Sequence, residues 1–281
     1  MKPLWSMSED ELFAGSLTSA RCPRCGGRGI YQQALLAYNG DDLQETDQPL
    51  SCDCRGRPAE LWRQANLPDG RFGGLTLADL DWSCLRPPEV VGAVRDYAEH
   101  LEAWLAEGMG LTLTGNVGTG KTHVALGLVK LACGLGIEAR FLTMAELLAA
   151  IKATYDRERQ VPHRRGRSGA AGEAELLDEL ADLPLLALDD LGSENPTHWV
   201  RDRLYTLINS RYLSQRPTIV TTNLSLEALA DRLGERTVSR LWGVSLVINF
   251  GGADYRERVK RESLARVRAR IANLQVTQPA R

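Results

Sequence analysis

The chain has 281 residues, 43% hydrophobic and 25% charged, with a formal net charge of −2. That leaves room for one large or two modest globular domains, and the near-neutral balance excludes a globally basic nucleic-acid coat, although local basic patches remain. No run approaches the roughly 20 apolar residues a membrane span needs, and the first residues lack the apolar stretch of a signal peptide, so the expectation is a cytoplasmic protein with no membrane partner.

In chain order, one short amphipathic stretch, Glu9 to Leu17, precedes a change of character. Cys22 and Cys25 form a C-x-x-C knuckle followed by glycines. Cys52 and Cys54 form a second pair after an intervening loop rich in Asp and Gln. In a reducing compartment such cysteines argue against a disulfide framework. Four thiolates satisfy a tetrahedral Zn²⁺, with a redox C-x-x-C or unligated thiols as the alternatives. Cys84 and Cys133 stand alone and are expected to be packing residues. A module this small is held together mainly by its metal, so residues 1–65 are expected to be a zinc-stabilised surface for a partner. A helix is expected over Pro58 to Asn66, then an extended, glycine-punctuated segment, with residues 66–88 as a linker into a domain spanning 89–281. Glu89 to Ala106 carries apolar residues at helical spacing.

Leu111 to Thr114 reads as a short buried strand, and Gly115-Asn116-Val117-Gly118-Thr119-Gly120-Lys121-Thr122 spells G-x-x-x-x-G-K-T. A triphosphate needs several backbone N–H groups turned to one point, and glycines allow that concave path. Lys121 then reaches the β- and γ-phosphates, the Thr122 hydroxyl ligates Mg²⁺, and the helix opening at His123 adds its N-terminus to an ATP site of residues 115–123. The strand Glu138 to Leu142 follows, with Thr143 and Glu146 as a capping box for the helix Met144 to Tyr155. Strand and helix alternate from here, which implies a parallel sheet with helices on both faces. Arg157, Arg159, Arg164, Arg165 and Arg167 lie in an interrupting loop, read either as a solvated segment or as a contact for nucleic-acid phosphates.

The strand Leu183 to Asp190 ends in two acids. Ligands of parallel sheets collect at the carboxyl ends of strands, so Asp189 is expected to hold Mg²⁺ and Asp190 to orient or deprotonate the attacking water. After the helix Trp199 to Leu213, the strand Pro217 to Asn223 ends in an amide able to reach that water or the γ-phosphate. The alternative for Asn223 is a cap for the helix starting near Ser225. Asp231 to Trp242 is expected to be one helix with Arg232, Arg236 and Arg240 on one face. A last strand, Val244 to Phe250, precedes the Arg-rich helix Asp254 to Gln275.

The ordered set G-N-V-G-T-G-K-T, L-L-A-L-D-D-L-G, T-I-V-T-T-N-L, G-E-R-T-V-S-R-L and D-Y-R-E-R resembles the AAA+ ATPases of the DnaC/DnaI helicase-loader family, and IstB transposition helpers share most of these signatures. The resemblance covers roughly Asn66 to Arg261. It implies an AAA+ P-loop fold with a five-stranded parallel sheet and helices on both faces, preceded by the small zinc module. Lys121 and Thr122 would then be Walker A residues, Asp189 and Asp190 Walker B, and Asn223 sensor 1. Arg240 would be an arginine finger acting on a neighbouring subunit and Arg256 sensor 2, with Arg236 and Arg258 as near alternatives. A residue acting in trans implies a ring, spiral or filament. The implied activity is ATP hydrolysis with Mg²⁺, and the implied partners are a DnaB-type replicative helicase and single-stranded DNA. The rival function is a transposition helper that binds duplex DNA and recruits a transposase.

Overall fold

The computed structural model describes residues 2–13, 30–39, 42–51, 57–68, 73–160, 170–193 and 196–276. A short helix α1 (Glu9–Phe13) precedes two long antiparallel strands, β1 (Ile30–Asn39) and β2 (Asp42–Ser51), paired from Ile30↔Ser51 to Asn39↔Asp42. The segment expected to be a loop between the cysteine pairs is therefore a hairpin, whose near-matched ten-residue strands satisfy each other's backbone groups. The four cysteines themselves lie outside the described residues. Helix α2 (Arg57–Gln64) follows, then two 3-10 turns, Leu77–Asp79 and Trp82–Cys84.

Where one helix was expected over 89–106 there are two, α3 (Glu89–Glu99) and α4 (Leu101–Ala106), broken at His100, whose φ of −109° and ψ of 25° leave the helical region. Next come β3 (Gly110–Gly115), α5 (Lys121–Gly134), β4 (Ala139–Thr143), α6 (Met144–Gln160) and α7 (Ala170–Asp182). Thr143 and Glu146 cap α6 reciprocally, Thr143 N–H donating to Glu146 Oε2 at 2.7 Å and Glu146 N–H to Thr143 Oγ1 at 3.2 Å. Helix α6 runs five residues past the expected end, so Arg157 and Arg159 lie on its last turns rather than in a loop, while Arg164, Arg165 and Arg167 lie outside the described residues. The chain closes with β5 (Leu185–Asp189), α8 (His198–Leu213), β6 (Thr218–Thr221), α9 (Leu226–Leu233), α10 (Glu235–Gly243), β7 (Ser245–Phe250) and α11 (Tyr255–Val276). Gly234, at φ +94°, breaks the helix expected over 231–242 into α9 and α10. Arg232 therefore leaves the face it was expected to share with Arg236 and Arg240, and its guanidinium donates to the Gly192 carbonyl instead.

Five parallel strands form the central sheet in the order β4-β5-β6-β3-β7. Alternation along each strand divides their side chains between two cores. Leu111, Leu113, Leu185, Ala187 and Ile219 point to the face covered by α3 and α5, whereas Leu186, Leu188 and Val220 meet α6 to α10 on the other. Helix α5 is buried along nearly its whole length, as its all-round apolar sequence requires. Leu4, Leu12, Leu61 and Ala65 belong to the same core as α5. The Ala65 carbonyl accepts the Phe141 N–H of β4 at 2.8 Å. These parts of the expected N-terminal module are thus packed on the core of the central sheet, because their leucines bury apolar surface there.

On the second face, Arg211 of α8 is 1% exposed. It donates to the carbonyls of Leu180, Ala181, Leu183 and Pro217 and to Thr218 Oγ1. Burial pulls its pKa down to about 9, still well above neutrality, so the guanidinium remains charged and ties the end of α7 to β6.

Candidate nucleotide site

The loop between β3 and α5 turns on three glycines at positive φ, Gly115 (+121°), Gly118 (+73°) and Gly120 (+101°). A Cβ at Gly115 would overlap the Phe250 carbonyl oxygen, so glycine is needed there for close approach as well as for φ. Gly120 is the N-cap of α5, whose N-terminus opens into a cleft of about 840 Å³. The Lys121 ammonium donates to the Gly115 carbonyl at 2.8 Å and the Asn116 carbonyl at 2.5 Å, and partial burial lowers its pKa.

Strand alternation explains how the acids arrive. Asp189 continues the face of Leu185 and Ala187, and Thr221 continues that of Ile219, so both meet the loop side of the sheet. The Thr122 hydroxyl donates to Asp189 Oδ1 at 2.9 Å and the Thr221 hydroxyl donates to the same oxygen at 2.6 Å. Burial raises the Asp189 pKa, and these two bonds oppose the rise. Asp190, one residue past the strand, takes φ +58°, and its N–H donates to Thr221 Oγ1 at 2.9 Å. Thr221 thus bridges both acids, a role absent from the expectations above. Asn223 Nδ2 donates to Asp190 Oδ1 at 2.9 Å. The cap of α9 is Ser225, which accepts the Ala228 N–H, so the capping alternative for Asn223 falls away.

The expected linker forms the opposite wall. Thr76 and Asp79 make a capping box, the Thr76 carbonyl sits 2.8 Å from His123 Nε2, and burial lowers the His123 pKa. Leu80 and Leu85 lie against Gly120, and Leu77 fills the space beside Gly127 of α5. This strap is held from behind by Arg95, whose guanidinium lies 4.0 Å from the Trp5 ring centroid and 4.7 Å from that of Trp82. Cys84 is not simply a packing residue: its thiol donates to Asp81 Oδ2 at 3.0 Å and accepts from Arg258 Nη1 at 3.0 Å. Cys133 is buried, with its pKa pushed up to about 12.

Val117 to His123, Asp189, Asp190, Asn223 and Arg256 line this one cleft. Arg240 does not. It lies on α10 over the Tyr205 ring at 4.9 Å and the Tyr212 ring at 6.0 Å, and donates to the Arg236 carbonyl. Among the described residues no group of three or more His, Cys, Asp or Glu side chains is placed to hold a metal ion, and no helix is long and apolar enough to cross a membrane.

A phosphate loop on β3, paired acids at the end of β5 and an amide after the intervening β6 define the class of the AAA+ P-loop ATPases. Comparison with known proteins agrees. The family described as IstB-like ATP binding protein matches residues 62–263, and the chain belongs to that family. The replicative helicase loader DnaC of Escherichia coli (strain K12) is 27% identical over 177 residues, covering 63% of this chain and 66% of that protein. The uncharacterized protein YdaV of the same strain is 29% identical over 154 residues, covering 54% of this chain and 57% of that protein. A crystal structure of the DnaC helicase loader is 26% identical with a TM-score of 0.48, covering 68% of this chain and 98% of that one. The chain thus spans 66% of the length of the DnaC relative and 57% of that of YdaV.

Proposed function

We propose that this protein is a Mg²⁺-dependent ATPase that loads a DnaB-type replicative helicase onto single-stranded DNA when replication initiates. The observation that carries the reading is the hydrogen-bonded set Thr122, Asp189, Thr221, Asp190 and Asn223 beneath the phosphate loop. A phosphate loop alone binds a nucleotide, whereas this set adds groups suited to hydrolysis. The Thr122 hydroxyl and the buried Asp189 carboxylate are hard oxygen donors that fit Mg²⁺, and a cation would relieve the desolvated charge on Asp189. Bound Mg²⁺ supplies neutralisation of phosphate charge. Asp190, oriented by Asn223, takes the proton of a water whose oxygen attacks the γ-phosphorus as the bond to the β,γ-bridging oxygen breaks.

Lys121 and Arg256 face the cleft as counter-charges for the phosphates. Arg240, outside its own chain's cleft, suits a finger reaching a neighbouring subunit in a ring, spiral or filament. The pairing of Ile30 with Ser51 brings the chain into and out of the hairpin at one end, with Cys25 five residues before Ile30 and Cys52 next after Ser51. That connectivity supports Zn²⁺ held by Cys22, Cys25, Cys52 and Cys54, in a module within residues 1–65 that engages the helicase. The basic run of Arg157, Arg159, Arg164, Arg165 and Arg167 is the proposed DNA contact.

The name of the DnaC relatives favours the loader, whereas the family description favours a second reading, an IstB-like transposition helper on duplex DNA. One experiment tests both. The full chain and Lys121→Ala are incubated with Mg·ATP, a DnaB-type helicase and DNA carrying a single-stranded bubble, and unwinding is followed with phosphate release. A loader gives ATP-dependent unwinding that Lys121→Ala loses. Phosphate release without helicase recruitment, together with tight binding to plain duplex, would replace the loader with the helper. No phosphate release under any condition would remove the ATPase reading itself.

A further inference from the structure

We propose that Asp254 is a positioning residue that keys the first turn of α11, and Arg256 with it, onto Gly118 of the phosphate loop. This deepens the nucleotide-site reading above and rests on it. Three contacts carry the proposal. The Gly118 carbonyl accepts the N–H of Tyr255, the first residue of α11, at 2.9 Å. Asp254 Oδ1 accepts the Arg256 N–H at 2.8 Å, which makes Asp254 the side-chain cap of the helix. The Asp254 carboxylate is also seated on the Gly118 backbone, for a Cβ there would overlap it, and Gly118 holds φ +73°.

The connection leading into α11 has little slack. Asn116 N–H donates to the Phe250 carbonyl at 3.2 Å, Gly251 N–H donates to the Arg86 carbonyl at 2.7 Å, and four residues later Tyr255 is on Gly118. One short stretch is therefore fastened to the entrance of the phosphate loop, to the strap and to the crown of the loop. Arg256 and Lys121 face the same cleft, where the Arg256 charge opposes that of Lys121. A polyphosphate relieves that opposition, and the seat of Asp254 decides where the second cation stands. Displacement of Gly118 carries the helix start with it, so the conformation of the loop sets the position of Arg256.

The test compares affinities for Mg·ATP and Mg·ADP, measured by displacement of a fluorescent ADP analogue, in the full chain and its variants. Discrimination by the γ-phosphate is the readout, because a purely structural loss weakens both nucleotides alike. Wild type prefers ATP. Arg256→Ala and Asp254→Ala each lose about tenfold in that preference, equivalent to about 1.4 kcal/mol, and the double variant loses no more than Arg256→Ala alone. Asp254→Asn retains the capping oxygen and the preference. Asp254→Glu keeps the charge but places its carboxylate one methylene too far, and loses the preference; it serves equally if the alanine variant does not fold. Full preference in Asp254→Glu, or additive losses in the double variant, overturns the key while leaving the nucleotide site intact. An Arg256→Ala variant with wild-type preference overturns it likewise. Absence of nucleotide binding by wild type removes the site reading and the key together.

Discussion

Replacing Thr221 with valine removes one hydroxyl at nearly constant volume from a position 2% exposed. Two hydrogen bonds go with it, the 2.6 Å bond it donates to Asp189 and the 2.9 Å bond it accepts from the Asp190 N–H. A bond to a charged group contributes about 1.5–3 kcal/mol, and a buried donor left unpaired costs about 1–3 kcal/mol; allowing for coupling between them, the loss should be on the order of 3 kcal/mol. Urea denaturation in EDTA without nucleotide reads it directly. The pH dependence sharpens the test. Burial raises the Asp189 pKa above its ordinary 3.8, so the folded protein keeps a proton that the unfolded chain has released. Stability from this group is therefore lost as pH rises from 3.8 through the folded value. Thr221 holds that value down, so Thr221→Val raises it further, and the gap between wild type and variant widens as pH rises across the window. A gap below about 0.5 kcal/mol at pH 7, or one that does not grow with pH, refutes the bridging role.

Three other outcomes are expected. Arg211→Met should destabilise the fold by about 1–3 kcal/mol, because its buried carbonyl partners lose their donor; a change under about 0.5 kcal/mol in chemical denaturation contradicts that role. Asp190→Asn should bind Mg·ATP near wild-type affinity and release phosphate at least about 100-fold more slowly, as seen in single-turnover assays; unchanged turnover removes Asp190 as the base. Arg240→Ala should bind ATP normally and hydrolyse it poorly, and mixing it with Lys121→Ala should restore part of the rate, whereas no recovery argues against a shared site.

The core elements were legible because each carried a strong local signal. G-x-x-x-x-G-K-T follows an apolar run, two acids end another, and the Thr143/Glu146 box announces α6. Thr221 was missed although a signal existed: alternation from Ile219 puts it level with Asp189, but a threonine in a β-branched run reads as ordinary strand. The order of the strap within residues 66–88 carries no local signal, because it comes from nonlocal packing, Leu77 against Gly127 and Leu80 and Leu85 against Gly120. The break at Gly234 was missed for the opposite reason, since arginines at helical spacing masked a glycine whose φ of +94° ends one helix and starts another. Arg211 could not be singled out at all, for its carbonyl partners come from the end of α7 and the start of β6.

The clasp of Trp5, Arg95 and Trp82 joins the first residues of the chain to the wall of the nucleotide cleft, and Leu12 packs against Gly134 at the far end of α5. The amino-terminal residues and the cleft wall thus share one packed core, and any ligand whose binding changed that packing at one end would, by thermodynamic reciprocity, change affinity at the other end by the same factor.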